Sequence, residues 1–266
     1  GRPSQRLRSE RGRAPVPTLL KTMHVTRRRF LGTLGSAPMA WSALVRGQAP
    51  ASAADAITAA GRYPLNLERG RDGFVYVPRG DDPTRARPLM LVLHGAGGSS
   101  ASADAWFPLA DEHGVLLLAP DSRQWTWDAI LGGFGPDVDF LFRALKWTVQ
   151  RCAVDRRRLA LSGFSDGASY ALSLGVGNGD VFTHIMALSP GVMSPAVVAG
   201  KPRIFISHGT DDRVMPIDET SRRFVPRLQA LDYDVTYREF EGRHTLPPEI
   251  RREAMQWFLA GTANAD

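Results

Sequence analysis

Arg158-Leu159-Ala160-Leu161-Ser162-Gly163-Phe164-Ser165-Asp166-Gly167 is the stretch whose reading decides the fold. Its first half is a short apolar segment bounded by charge, as a buried strand requires. Behind it, Ala168-Ser169-Tyr170-Ala171-Leu172-Ser173-Leu174 is compatible with a helix that is apolar on one side. A Gly-x-Ser-x-Gly between strand and helix predicts a turn so sharp that the Ser165 hydroxyl projects from the end of a sheet, beside a helix N-terminus. The five-residue pattern alone is a weak signal, since such pentapeptides also occur in plain turns. Its flanks give it weight.

Outward from this turn the chain alternates between two patterns. Phe74–Val77, Leu89–Leu93, Val115–Ala119, His184–Leu188 and Ile204–Ile206 read as strands, most of them uniformly apolar. Val235–Phe240 alternates as an edge strand does. Residues 102–113, 138–147, 221–231 and 249–259 read as helices, with Gly114 closing the first and Pro136-Asp137 opening the second. Alternating strands and helices, with strands apolar on both faces, predict a mainly parallel sheet covered by helices on both sides. The connections are short, so no separate cap domain is expected. One α/β domain spans residues 54–266 in this reading.

Two loops that follow strands add an acid and a base. His208-Gly209-Thr210-Asp211-Asp212 follows the strand at 204–206, and Gly242-Arg243-His244 follows the edge strand. Parallel strands bring such loops to the same rim as Ser165. Chain order Ser, acid, His is that of α/β hydrolases. From the residues alone, Asp211 and Asp212 both remain open as the acid, with Asp218 behind them. His244 is the one histidine after the last strand. His208 and His94 read as packing and loop-ordering residues, and Cys152 as a thiol at the C-terminal end of a helix with no catalytic part.

With Leu93-His94-Gly95-Ala96-Gly97-Gly98 added, these motifs resemble the phospholipase/carboxylesterase group of α/β hydrolases. Poly(3-hydroxybutyrate) depolymerase-like and feruloyl-esterase-like enzymes are its neighbours. The resemblance covers roughly residues 72–260. It implies an α/β-hydrolase fold and cofactor-free ester hydrolysis through an acyl-enzyme on Ser165. His244 would be the general base and Asp212 the orienting acid. The implied oxyanion donors are the backbone N–H groups of Ala96 and Asp166. The group often carries Gln after the nucleophile, where this chain has Asp166. Trp125 and Trp127 either line a substrate pocket or pack their own loop. No metal-ligand spacing and no phosphate-binding glycine loop is present. A non-catalytic envelope- or carbohydrate-binding protein on the same scaffold and a serine peptidase are the competing readings.

The net charge of +6 looks like a nucleic-acid signature until it is located. Residues 1–50 hold ten Lys/Arg against Glu10, a net of +9, and the remainder carries 23 basic against 26 acidic residues. The basicity therefore belongs to the leader, which argues against a nucleic-acid partner. Thr26-Arg27-Arg28-Arg29-Phe30-Leu31, followed by a small-residue and apolar run to Val45, is a twin-arginine type of export signal. Met23 offers a start and Ala51-Ser52-Ala53 a cleavage site, so residues 1–53 are set aside as leader, and a periplasmic or extracellular location is expected. The apolar run is too short for a membrane span. The partner expected is a small-molecule or polymer-end ester, and the oligomeric state is not legible.

Overall fold

A computed structural model describes residues 56–80, 82 and 84–260. The leader expected over residues 1–53 lies outside the described residues. Eight strands form one sheet: β1 (Gly61–Pro64), β2 (Gly73–Val77), β3 (Arg87–Leu93), β4 (Leu116–Pro120), β5 (Val154–Phe164), β6 (His184–Leu188), β7 (Arg203–Gly209) and β8 (Val235–Phe240). Their spatial order is β1-β2-β4-β3-β5-β6-β7-β8. β2 runs antiparallel to both β1 and β4, while every other neighbouring pair is parallel.

Side chains alternate across the pleat, and each face has its own helices. Leu89, Leu91, Leu159 and Leu161 pack against α3 (Pro136–Arg151) and α4 (Asp166–Val176). On that same face, α5 (Ser221–Gln229) covers Ile204 and Ile206. Met90, Val92 and Ala160 point the other way, under α1 (Phe107–His113) and α6 (Pro248–Leu259). A short α2 (Asp128–Leu131) completes the set. Helices thus cover both faces of a mainly parallel sheet, and no connection among the described residues is long enough to build a cap. None of these helices is long and apolar enough to cross a membrane.

Strand order places the site. From β3 the chain passes to β4 on one side, and β5 lies on the other side. Loops leaving β3 and β5 therefore diverge, and a crevice opens at the carboxyl ends of these strands. Ser165 directly follows β5, and His94–Gly98 follows β3.

Three local readings change. The helix expected over 102–113 is a 3-10 segment at Ser100–Trp106 followed by α1, whose first turn carries Pro108. Proline lacks an N–H and fits there at no cost in hydrogen bonds. β5 starts at Val154 rather than Arg158, because its polar first half still pairs with Arg87 before an irregularity in the ladder. β1 was not expected: four half-exposed edge residues leave no periodic pattern.

Candidate active site

Ser165 stands on the turn between β5 and α4 with φ 59° and ψ −122°, a backbone state that L-residues rarely adopt. Such strain costs about 1–3 kcal/mol and persists only where surroundings over-determine it. Here the Ser165 N–H donates to Leu188 O at 3.0 Å, and the Ser169 N–H to Ser165 O at 3.0 Å. Two glycines let the turn close. A Cβ on Gly163 would overlap the Gly167 carbonyl, and one on Gly167 would overlap the Leu93 carbonyl.

Three of the expected residues meet at this point. His244 Nε2 lies 2.8 Å from Ser165 Oγ, and His244 Nδ1 lies 2.6 Å from Asp212 Oδ2. Asp211 donates its backbone N–H to Gly242 O and has no such contact with the ring, so of the two acids left open it is Asp212 that meets His244. The other Asp212 oxygen accepts N–H bonds from Val214 and Met215, both at 2.9 Å. Burial by itself would raise this carboxyl's pKa. The bonds from Met215, His244 and Val214 outweigh that effect and hold it below the usual carboxylate range. Asp212 is therefore an anion facing Nδ1, which fixes the proton on Nδ1 and leaves Nε2 free to accept one.

His208 is buried beside this pair. Its Nε2 is 2.8 Å from Met215 O and 3.2 Å from Asp212 Oδ2, and its Nδ1 is 2.7 Å from Ser221 Oγ. A carbonyl can only accept, so Nε2 carries the proton and Nδ1 takes one from Ser221. Burial pushes the His208 pKa down, keeping the ring neutral. It supports the acid loop, as its position in the sequence suggests, and does not reach Ser165.

The loop after β3 is braced from beneath. His94 is buried, with Nδ1 2.7 Å from Gly95 O, while its Nε2 accepts the Ser122 N–H at 3.0 Å. Burial, reinforced by Arg71, lowers its pKa. Arg71 Nη2 lies 3.2 Å from that Nε2 and donates to Gly98 O at 3.1 Å and Ser122 Oγ at 3.2 Å. Gly97 N–H is bound to Trp125 O at 2.7 Å and Gly98 N–H to Gly95 O at 3.0 Å. The N–H groups of Ala96 and of Asp166, the first residue of α4, have no intramolecular acceptor among the described residues. Asp166 is buried, and its carboxylate accepts a 2.6 Å bond from Thr126 Oγ1.

Trp127 packs inside its own loop, the second of the two readings left open for it. It is fully buried, donates Nε1–H to His94 O at 2.8 Å, and packs 4.9 Å from the His94 ring and 5.1 Å from Tyr170. An indole with one donor satisfied by a buried carbonyl is a structural strut. Trp125 is 60% exposed beside the same loop. Beneath both, Asp128 and Asp137 clasp their loop reciprocally: Asp137 accepts from the N–H groups of Arg123 and Asp128, and Asp128 from those of Gly135 and Asp137. Cys152 is buried and its thiol is pushed up to about 12, which removes it as a nucleophile. No group of three His, Cys, Asp or Glu side chains among the described residues has the geometry to hold a metal ion.

Arg71 and the Asp128–Asp137 clasp carry no mark in the sequence. Arg71 sits in a glycine-flanked loop far from every motif, and only the fold brings it under His94.

No protein-family profile matches the chain. Among curated proteins it is 26% identical over 178 residues to a probable feruloyl esterase C of Aspergillus terreus, across 62% of this chain and 65% of the relative. It is 25% identical over 163 residues to feruloyl esterase C of Emericella nidulans, across 58% and 59%. The chain spans less than two thirds of the length of these relatives. Among solved structures it resembles esterase PE8, with a TM-score of 0.59, 23% identity, and coverage of 70% of this chain and 98% of that one. A phospholipase/carboxylesterase from Dyadobacter fermentans gives a TM-score of 0.54 at 18% identity, across 73% and 100%. These likenesses establish the α/β-hydrolase fold.

Proposed function

We propose that this chain, an α/β hydrolase, is a serine carboxylic ester hydrolase with Ser165 as nucleophile, His244 as general base and Asp212 as the acid that orients it. The observation that carries the reading is the unbroken path Oγ···Nε2 at 2.8 Å and Nδ1···Oδ2 at 2.6 Å, standing at the topological switch of the sheet.

The chemistry follows from the atoms. Ser165 Oγ forms a bond to the ester carbonyl carbon while its proton passes to His244 Nε2. The carbonyl oxygen becomes an oxyanion, answered by the N–H groups of Ala96 and Asp166, which have no other acceptor among the described residues. Collapse breaks the carbon–alkoxy bond, and Nε2 returns its proton to the departing alkoxide. Water then attacks the acyl-Ser165, giving its proton to Nε2, and in the second collapse Nε2 passes that proton to the departing Ser165 Oγ as the acid is freed. Asp212 keeps the ring in the right tautomer throughout and stabilises the imidazolium between steps.

The feruloyl esterases among the relatives, and the open site among the described residues, support phenolic and short-acyl esters as the first substrates to test. Thr26–Leu31 supports export by the twin-arginine route. The direct experiment is active-site labelling. A fluorophosphonate should modify Ser165, and Ser165→Ala should lose both labelling and p-nitrophenyl butyrate turnover while keeping the native thermal transition. Unchanged turnover in that variant would reject the assignment.

A further inference from the structure

Next to the Ser165 turn lies a crevice of about 190 Å³ that is lined by the neighbouring Gly163, Phe164 and Gly95 and by neither Ser165 nor His244. Its rim is formed by the partly exposed Gly95, Phe164, Leu246 and Arg251, and its floor by the buried Trp106 and Ser162. The rim adjoins the reacting groups. A methyl on Gly95 would stand 3.3 Å from Ser165 Cβ, and the Phe164 ring packs 4.8 Å from the ring of His244. An apolar cavity of about 150 Å³ accepts benzene, so this one admits a single ring or a short carbon chain.

One charged group makes it more than an apolar dent, whereas Ser162 Oγ, unpartnered among the described residues, is buried out of reach of a ligand. Arg251 is the one Lys or Arg that lines the crevice, and no acid lines it. Its Nη1 donates to Leu246 O at 3.0 Å, and among the described residues no carboxylate pairs with it. The neighbouring arginines behave otherwise: Arg252 binds Glu112 and Arg238 binds Glu253. A half-buried guanidinium with donors to spare, above apolar walls and beside a nucleophile, suits a planar anion on an apolar stem.

We infer that this crevice receives a carboxylate-terminated arm of the ester, its stem between Phe164, Trp106 and Leu246 and its carboxylate on Arg251. The inference rests on the esterase reading, and the test keeps the two apart. Initial rates by pH-stat are compared for three esters. Ethyl butyrate is the neutral reference. Monoethyl succinate replaces the acyl-end methyl by carboxylate, and butyryloxyacetate replaces the ethyl methyl by carboxylate, so the pair distinguishes an acyl arm from an alcohol arm. In the wild-type protein, kcat/KM for one of the charged esters should exceed that for ethyl butyrate by about 10- to 100-fold, the scale of a charge-assisted hydrogen bond. Arg251→Gln should collapse that ratio to near one, and Arg251→Lys should retain part of it. Raising the salt concentration should lower it as well.

Because the readout is a ratio, a general loss of activity in the variants does not imitate the result. Turnover of ethyl butyrate with no preference for either charged ester overturns the inference and leaves the esterase reading standing, as does a preference that survives Arg251→Gln. Absence of turnover with every ester, together with no fluorophosphonate labelling of Ser165, overturns both.

Discussion

Asp212→Asn tests the proposed relay with almost no change in shape. Asp212 Oδ1 accepts the N–H groups of Val214 and Met215, so the variant's amide must turn its oxygen toward those two donors. Its NH2 then occupies the place of Oδ2, 2.6 Å from His244 Nδ1. A donor in that position forces Nδ1 to accept, which moves the ring proton to Nε2. Nε2–H faces Ser165 Oγ at 2.8 Å and can no longer take the serine's proton. The stability cost is moderate: His208 Nε2–H, 3.2 Å from the Oδ2 position, meets a donor there instead of an acceptor, but it keeps its bond to Met215 O and both backbone donors remain satisfied. The rate cost is large: the corresponding change in a serine protease lowers kcat about 10⁴-fold, equivalent to ~5.5 kcal/mol of barrier. The assay is kcat/KM on p-nitrophenyl butyrate at pH 7.5, paired with a thermal melt. A variant within tenfold of wild type would show that His244 does not depend on Asp212 for its tautomer, and the proposed mechanism would fall.

Arg71→Met removes the brace under His94 and Gly98 while keeping the apolar stem. Turnover should drop about 10- to 100-fold through misplaced oxyanion donors, with a smaller change in KM, and steady-state kinetics would expose a purely structural role by leaving kcat unchanged. His184 is buried against Trp257 and Phe258, and burial pushes its pKa down to about 4. The folded ring resists protonation that the unfolded ring accepts near pH 6.5, so stability should fall as pH drops from about 6.5 to 4, by at most ~3 kcal/mol from this group. Thermal melts across that range should show the slope, and His184→Leu should flatten it. Changing Arg27 and Arg28 together to Lys should block export of a reporter fused behind residue 60, whereas secretion that persists would point to another route.

Much of the architecture was legible because the central strands carry their own mark. Leu89–Leu93 and Leu116–Ala119 are buried on both faces, and a run of apolar residues has no other stable use in a parallel sheet. The turn at Ser165 was legible because close backbone approach at Gly163 and Gly167 excludes any side chain. Gly61–Pro64 was not, since a short edge strand is held by backbone bonds that leave no pattern in the side chains. Trp127 was ambiguous for a different reason. Trp125 and Trp127 share a residue type and a loop, and only the position of His94 O decides that one turns inward. Arg71 and Arg251 act through partners fixed by the fold, so a linear reading has nothing to connect them with.

The exposed indole of Trp125 has a use of its own. Its backbone carbonyl holds the Gly97 N–H, so its ring rides on the segment that would meet the oxyanion. Trp106 and Trp127 are buried, and Trp147 and Trp257 are half-buried, which leaves Trp125 as the most solvated tryptophan among the described residues. Its red-edge emission is therefore the signal in which to follow any movement of that segment on acylation, without a chromogenic ester.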